Sequence, residues 1–238
     1  MKISENMKIL KKLIAKSWDP KRKITLQEKI ADYKEAFKQK APANVQELMK
    51  LATQTLADSG IESTSPKVSE VLPAFSLPNQ KGETVSLEDL LASGPVIITF
   101  YRGGWCPYCN FELQAYQKEL ANIKAQGATL IAITPELPDA SLSTTEKNEL
   151  EFEVLSDVNS DYAKSLGLVF SLPEELRSIY LSFGIDVEKH NGEGQFDLPL
   201  AATFVVAKDG TIASAFVDAD YTARQEPSEL INTLKALA

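Results

Sequence analysis

Cys106 and Cys109 are the only cysteines among 238 residues, and they stand in the stretch Phe100 to Asn110, FYRGGWCPYCN. A C-x-x-C pair means thiol redox chemistry or half of a metal site. Structural zinc takes four Cys or His ligands, whereas Cys106, Cys109 and the single His190 supply three. No metal and no cofactor is therefore expected, and His190, in the polar stretch KHNGEGQ, is given no role. Two cysteines are also too few for a secreted disulfide framework, which fits a reducing, cytoplasmic setting.

Pro107 suits the first position of a helix, which makes Cys106 the cap residue and puts Cys109 in the first turn, where the two sulfurs can meet. Unpaired N–H groups and the positive end of the helix dipole favour a thiolate there. In motifs of this type a cysteine falls from about 8.5 into the range of roughly 3.5 to 7.5. Thiolate is the nucleophile. Cys106, nearer the open end, is expected to attack, and Cys109 to resolve the resulting mixed disulfide or sulfenic acid. The bland alternative, two inert core cysteines, fits poorly with a Gly103-Gly104 turn and Trp105 alongside. Arg102 could stabilise the thiolate or a bound peroxide oxygen by a charge-assisted hydrogen bond, or could simply be a paired side chain at a strand end. Trp105 and Tyr108 could shape a recognition surface or merely pack.

The elements that must hold this stretch follow from periodicity. Val96 to Tyr101, Ala128 to Thr134 and Phe152 to Leu155 are short apolar runs expected for buried strands. One helix begins at the cysteines and presents Leu113, Tyr116, Leu120 and Ile123 on one face. Others are expected from Ser141 and from Asn159 to Gly167, and a last one from Pro227 to Leu237. Thr203 to Ala207 and Thr211 to Val217 flank Asp209-Gly210, a hairpin signal. Alternating strands and helices predict an α/β fold with a mixed, largely parallel central sheet, whose strand-to-helix turns carry reactive groups.

Charge divides the chain. Up to Pro66 there are 13 basic and 8 acidic residues, and beyond it 12 basic and 25 acidic, for a net charge of -8. An acidic body is a poor nucleic-acid binder. No apolar run reaches the roughly 18 residues that span a bilayer, so no integral membrane contact is expected. In the basic part, Ile3, Met7, Leu10, Ile14 and Trp18 recur at helical spacing, with Lys8, Lys11, Lys12 and Lys16 largely off the stripe. Such a helix packs on the body or a second copy, or binds a membrane surface or partner. It has neither the Arg- and Ser-rich make-up of a transit peptide nor the unbroken apolar core of a secretory signal. Thr25 with Glu28 forms a capping box for a helix lined by Leu26, Ile30, Tyr33 and Phe37. A second helix, capped by Asn44 with Glu47, runs to Gly60, and Ile61 to Val71 reads as a linker. The expected division is a helical extension over residues 1–66 and a redox domain over 67–238.

The segments VLPAFSLPNQKGETVSL, ITFYRGGWCPYCNFEL, LIAITPELPD, LPLAATFVVAKDGTI and FVDADYTARQEP resemble the thioredoxin-fold redoxins. The particular likeness is to the peroxiredoxin-like group of the alkyl hydroperoxide reductase and thiol-specific antioxidant family. The resemblance implies a thioredoxin-like sheet, reduction of hydrogen peroxide or alkyl hydroperoxides, and recycling by thioredoxin or another dithiol protein. By position Cys106-Pro107 matches the peroxidatic Cys-Pro, while Cys109 makes the motif similar to a thioredoxin or glutaredoxin C-x-x-C. The family pattern P-x-x-x-[ST]-x-x-C is not met, since Thr99 and Gly103 stand where a Pro and a hydroxyl belong. The late-strand arginine is also absent from LPLAATF, leaving Arg102 or Arg224 to substitute, and Ala201 stands where thioredoxins place a cis proline. Three readings stay open: a Cys106–Cys109 thiol peroxidase, a protein-disulfide oxidoreductase, and a binding module acting through the basic helix. A homodimer through the amino-terminal helices is a further expectation.

Overall fold

The structure, a computed structural model, describes residues 24–238. The basic stripe from Ile3 to Trp18 lies outside the described residues. At the centre is a five-stranded sheet in the order β5 (Glu153–Ser156), β4 (Thr129–Thr134), β3 (Val96–Phe100), β8 (Ala201–Val206) and β9 (Ile212–Asp218). Strand β3 is parallel to β4, and β4 to β5, while β3 with β8 and β8 with β9 run antiparallel. The sheet is mixed, as expected, with two parallel and two antiparallel pairings. The expected Asp209-Gly210 hairpin supplies one of the antiparallel pairings, β8 with β9, by returning the chain beside itself.

Every residue of β3 is buried, because both faces of the sheet are covered. On one face Ile97, Leu130, Ala132, Val154 and Val205 meet α4 (Pro107–Ala125) and α9 (Pro227–Leu237). On the other, Ile98, Phe100, Ile133 and Phe204 meet Leu72, Phe75, Leu87 and Tyr162. Alternation along one strand thus sorts the apolar residues between two cores.

Helices α1 (Leu26–Lys40) and α2 (Ala43–Asp58) belong to the amino-terminal extension, and they pack directly on the body. The Thr25/Glu28 capping box is present. Leu26 and Ile30 join the core cluster that contains both cysteines. Glu226 accepts the free N–H groups of Leu26 (3.4 Å) and Gln27 (2.7 Å), closing the start of α1 with a carboxylate from the other end of the chain. Helix α2 starts after Pro42, which has no capping side-chain bond, instead of at Asn44. The expected linker is also more ordered than a linker: Ile61–Thr64 makes a helical turn, Thr64 donates to the Gly167 carbonyl at 2.9 Å, and Val71 bridges Thr211.

Several short elements were not legible as such in the sequence. The hairpin β1 (Ser76–Pro78) with β2 (Thr84–Ser86) leads into α3 (Leu87–Ser93). Helices α5 (Pro138–Lys147) and α6 (Asp161–Ser165) fall near their expected places. Beyond them, β6 (Val169–Ser171) pairs with β7 (Asp197–Pro199) around an insertion carrying α7 (Glu174–Ser182) and α8 (Val187–Asn191). That insertion and the extension together close over the end of the sheet where β3 hands over to α4.

Candidate active site

The junction after β3 is as expected: Cys106 is the cap residue of α4, Pro107 its first helical residue, and Cys109 sits in the first turn. Both cysteines are free thiols. Gly103 and Gly104 are required by close approach. A Cβ on Gly103 would fall 2.2 Å from the Trp105 ring nitrogen, and one on Gly104 2.0 Å from Thr144 Oγ1. Asn110 ties the turn to the helix, donating to the carbonyls of Gly104 (2.8 Å) and Cys106 (3.0 Å), and accepts from Asn148.

Cys106 and Cys109 expose 1% and 0% of their surface. The difference in exposure expected between them is absent. Cys106 nevertheless lines a cavity of ≈ 370 Å³, whose walls are Arg102, Trp105, Tyr108, Tyr180 and Tyr221 together with Tyr33, Phe37 and Met49 of the extension. Tyr33 packs edge-on to Tyr108 at 5.3 Å, and Trp105 edge-on to Tyr180 at 5.7 Å. The aromatics therefore do both things considered for them: they pack, and they shape the space above the sulfur.

Two buried arginines divide the sulfurs between them. Arg102 Nη2 lies 3.9 Å from Cys106 Sγ, with its guanidinium 4.3 Å from the Tyr221 ring centroid. Arg224 Nη2 lies 3.3 Å from Cys109 Sγ. Burial pushes the Cys106 thiol up, but a hydrogen bond from the Cys109 thiol, the charges of Arg102 and Arg224 and the Cys109 N–H outweigh it. The net direction is well below the ordinary thiol range. Cys109 moves the opposite way, raised by burial, by its hydrogen bond to Cys106 and by that sulfur's charge, with both arginines pulling it down. One sulfur is held as thiolate and its neighbour as the thiol that donates to it.

Two acids behind the pair were missed in the sequence because a lone Glu reads as a solvated residue. Glu136 is fully buried; it accepts the Gly104 N–H, lies 3.3 Å from Thr144 Oγ1 and 3.4 Å from the Tyr101 hydroxyl, and faces His190 Nδ1 at 2.9 Å. His190, expected in a loop without a role, thus lies at the end of α8 against this acid. Glu112 is also buried and pairs with Arg224 at 3.0 Å. The signal for Glu112 was its position, three residues after Cys109 and four before Tyr116, on the apolar side of α4. Among the described residues no cluster of three or more His, Cys, Asp or Glu is placed to hold a metal ion.

Residues 68–215 match the model of the AhpC/TSA family. Peroxiredoxin Bcp of Escherichia coli K12 is 28% identical over 102 residues, covering 43% of this chain and 65% of that protein. The chloroplastic peroxiredoxin Q of Triticum aestivum is 29% identical over 129 residues, covering 54% and 59%. The chain thus matches somewhat less than two thirds of each of these relatives. In fold it is similar to the crystal structure of peroxidoxin BcpB from Mycobacterium tuberculosis, at TM-score 0.57 and 20% identity over 72% of this chain and 98% of that one. Strand order, a redox-poised cysteine at the β3–α4 junction and a family match over more than half its length together make this chain a member of the AhpC/TSA family.

Proposed function

We propose that the chain is a thiol-dependent peroxidase, with Cys106 as nucleophile, Cys109 as resolving thiol and Arg102 as the group that stabilises charge at the reacting sulfur. The observation that carries this reading is the cysteine pair beneath the cavity with Arg102 3.9 Å from Cys106 Sγ and Arg224 3.3 Å from Cys109 Sγ, surroundings that hold the Cys106 thiol low and raise that of Cys109. The Cys106 thiolate attacks one peroxide oxygen; an S–O bond forms, the O–O bond breaks, and the alkoxide or hydroxide leaves and takes up a proton. Cys106 is then a sulfenic acid. The Cys109 thiol attacks it, an S–S bond forms, and the thiol proton departs with the hydroxyl group as water. A dithiol donor such as thioredoxin returns two electrons to the disulfide.

Arg102 takes the place of the late-strand arginine that LPLAATF lacks. Its guanidinium is buried, reaches the sulfur and carries a full charge, which is worth about twice a neutral hydrogen bond in such a site. Stopped-flow oxidation by hydrogen peroxide and by an alkyl hydroperoxide tests the reading. A rate constant above that of a free thiol is expected, and one no greater would exclude it.

The C-x-x-C sequence favours a second reading, a protein-disulfide oxidoreductase. Against it stands the 1% exposure of Cys106: a peroxide enters the cavity of ≈ 370 Å³ directly, whereas a protein disulfide, like the protein donor that closes the peroxidase cycle, reaches the sulfur only once the cavity walls part. Rapid insulin reduction would favour this reading. The remaining parts of the proposal are residues 1–66 as an extension of a 67–238 redox domain, a cytoplasmic setting in which the thiols stay reduced, and a homodimer through the amino-terminal helices. Exposed Leu51 on α2 is apolar surface available to that dimer, which sedimentation would detect. No helix of the described residues is long and apolar enough to cross a membrane.

A further inference from the structure

Arg224 enters the site from the segment between β9 and α9 and is buried to 2% of its surface. Its Nε lies 3.0 Å from Glu112 Oε2 while its Nη2 lies 3.3 Å from the Cys109 sulfur. One guanidinium therefore touches an acid and a thiol at once. Glu112 follows Cys109 by one turn of α4 and is itself buried; the Tyr116 hydroxyl lies 3.2 Å from its other oxygen and 3.1 Å from the Gln225 carbonyl. The arrangement has a purpose to explain. A buried cation against a thiol favours the thiolate, and an ionised Cys109 could neither donate to Cys106 nor bring the proton that leaves as water.

We propose that Glu112 is a positioning residue of the cysteine pair: it anchors Arg224 beside Cys109 and offsets the guanidinium's charge there, so that Cys109 remains the donating thiol while Cys106 is the nucleophile. This rests on the peroxidase reading for the two roles, although not for the electrostatics. The other groups facing Cys109 are Cys106, Arg102 from the preceding loop and Tyr101 at the end of β3. Of the charged groups around Cys109, Glu112 is a carboxylate joined to it through a shared partner. Burial pushes the Glu112 carboxyl up to about 8 against the pull of Arg224, so the offset is complete above that pH, the range in which Cys109 would otherwise ionise against the guanidinium.

Thiolate absorbance near 240 nm, followed against pH in a Cys106→Ser background, reads Cys109 alone. Glu112→Gln in that background is expected to lower the Cys109 midpoint by about one pH unit or more, a tenfold change in proton affinity. An unchanged or higher midpoint overturns the proposal. Should that variant not fold, Glu112→Asp draws the carboxylate back by one methylene and is expected to shift the midpoint the same way by less; a midpoint at or above the parent's overturns it equally. With Arg224→Gln added, Glu112→Gln is expected to have no further effect, and an equal shift there would show that Glu112 acts without Arg224. None of these titrations uses peroxide, so a failed peroxidase assay and a failed positioning role are separate results.

Discussion

The Gly104 N–H points at the carboxylate of Glu136, 3.0 Å from each of its oxygens. A buried acid thus pins the loop that ends in Cys106, and it does so from two residues beyond the end of β4. Adding even one methyl group should disturb this latch, because a Cβ at position 104 would overlap Thr144 Oγ1. Gly104→Ala is expected to lower stability by about 1–3 kcal/mol, the usual effect of overpacking, and to slow oxidation of Cys106 by displacing it from Arg102. Urea denaturation and stopped-flow oxidation read the two effects. Thr144→Ala in the same chain should restore part of both, and a Gly104→Ala protein as stable and reactive as the parent would refute the latch.

Arg102 has a different job, which is to supply charge. At 3.9 Å from the sulfur, a unit charge is worth about 4 kcal/mol at an effective dielectric of 20. Arg102→Gln should therefore raise the Cys106 midpoint by at least about one unit and cut the rate with peroxide at neutral pH about tenfold or more. Raising the pH should recover part of that loss, since the thiolate then forms without help. A loss that is the same at every pH would mean that Arg102 acts on the peroxide rather than on the sulfur.

Cys109→Ser separates attack from resolution. The variant should consume one equivalent of peroxide and stop at sulfenic acid, then pass to sulfinic acid with excess oxidant. Intact mass gives the answer directly as one added oxygen, then two. Cys106→Ser should show no peroxide consumption above the free-thiol background. A Cys109→Ser protein that cycles normally with a dithiol donor would place the resolving thiol outside this chain.

The site was legible where its chemistry is local. Cys106, Pro107 and Cys109 define a helix start by residue type alone, and β3 and β4 announce themselves as unbroken apolar runs. What stayed hidden depends on tertiary pairing. Strands β6 and β7 have three residues each and meet across the α7–α8 insertion, so neither carries a period that can be read. Glu112 and Glu136 pair with Arg224 and His190, which arrive from distant segments, so the partners could not be read locally even where, as for Glu112, the spacing along α4 hinted at burial. The role of the extension as a cavity wall follows from Leu26 and Ile30 docking against α4, although their helical spacing alone was plain.

Burial of Glu112 also has a consequence for stability. Its folded value of about 8 lies above its ordinary value of 4.5, so the folded state binds a proton that the unfolded chain releases. The stabilisation is fully present below about pH 4.5 and is lost as pH rises through about 8; in scale it is on the order of 3–5 kcal/mol. Cys106, held low, works in the opposite direction, gaining stability as pH rises toward the ordinary thiol range. Comparison with Glu112→Gln cancels Cys106 and the other groups common to both proteins below about pH 8, before Cys109, whose midpoint the substitution moves, begins to ionise. The stability of Glu112→Gln relative to the parent, measured by urea denaturation, should therefore increase steadily from pH 5 to pH 8. A difference that is flat or shrinks over that interval would mean that Glu112 stays ionised throughout, fully paired with Arg224.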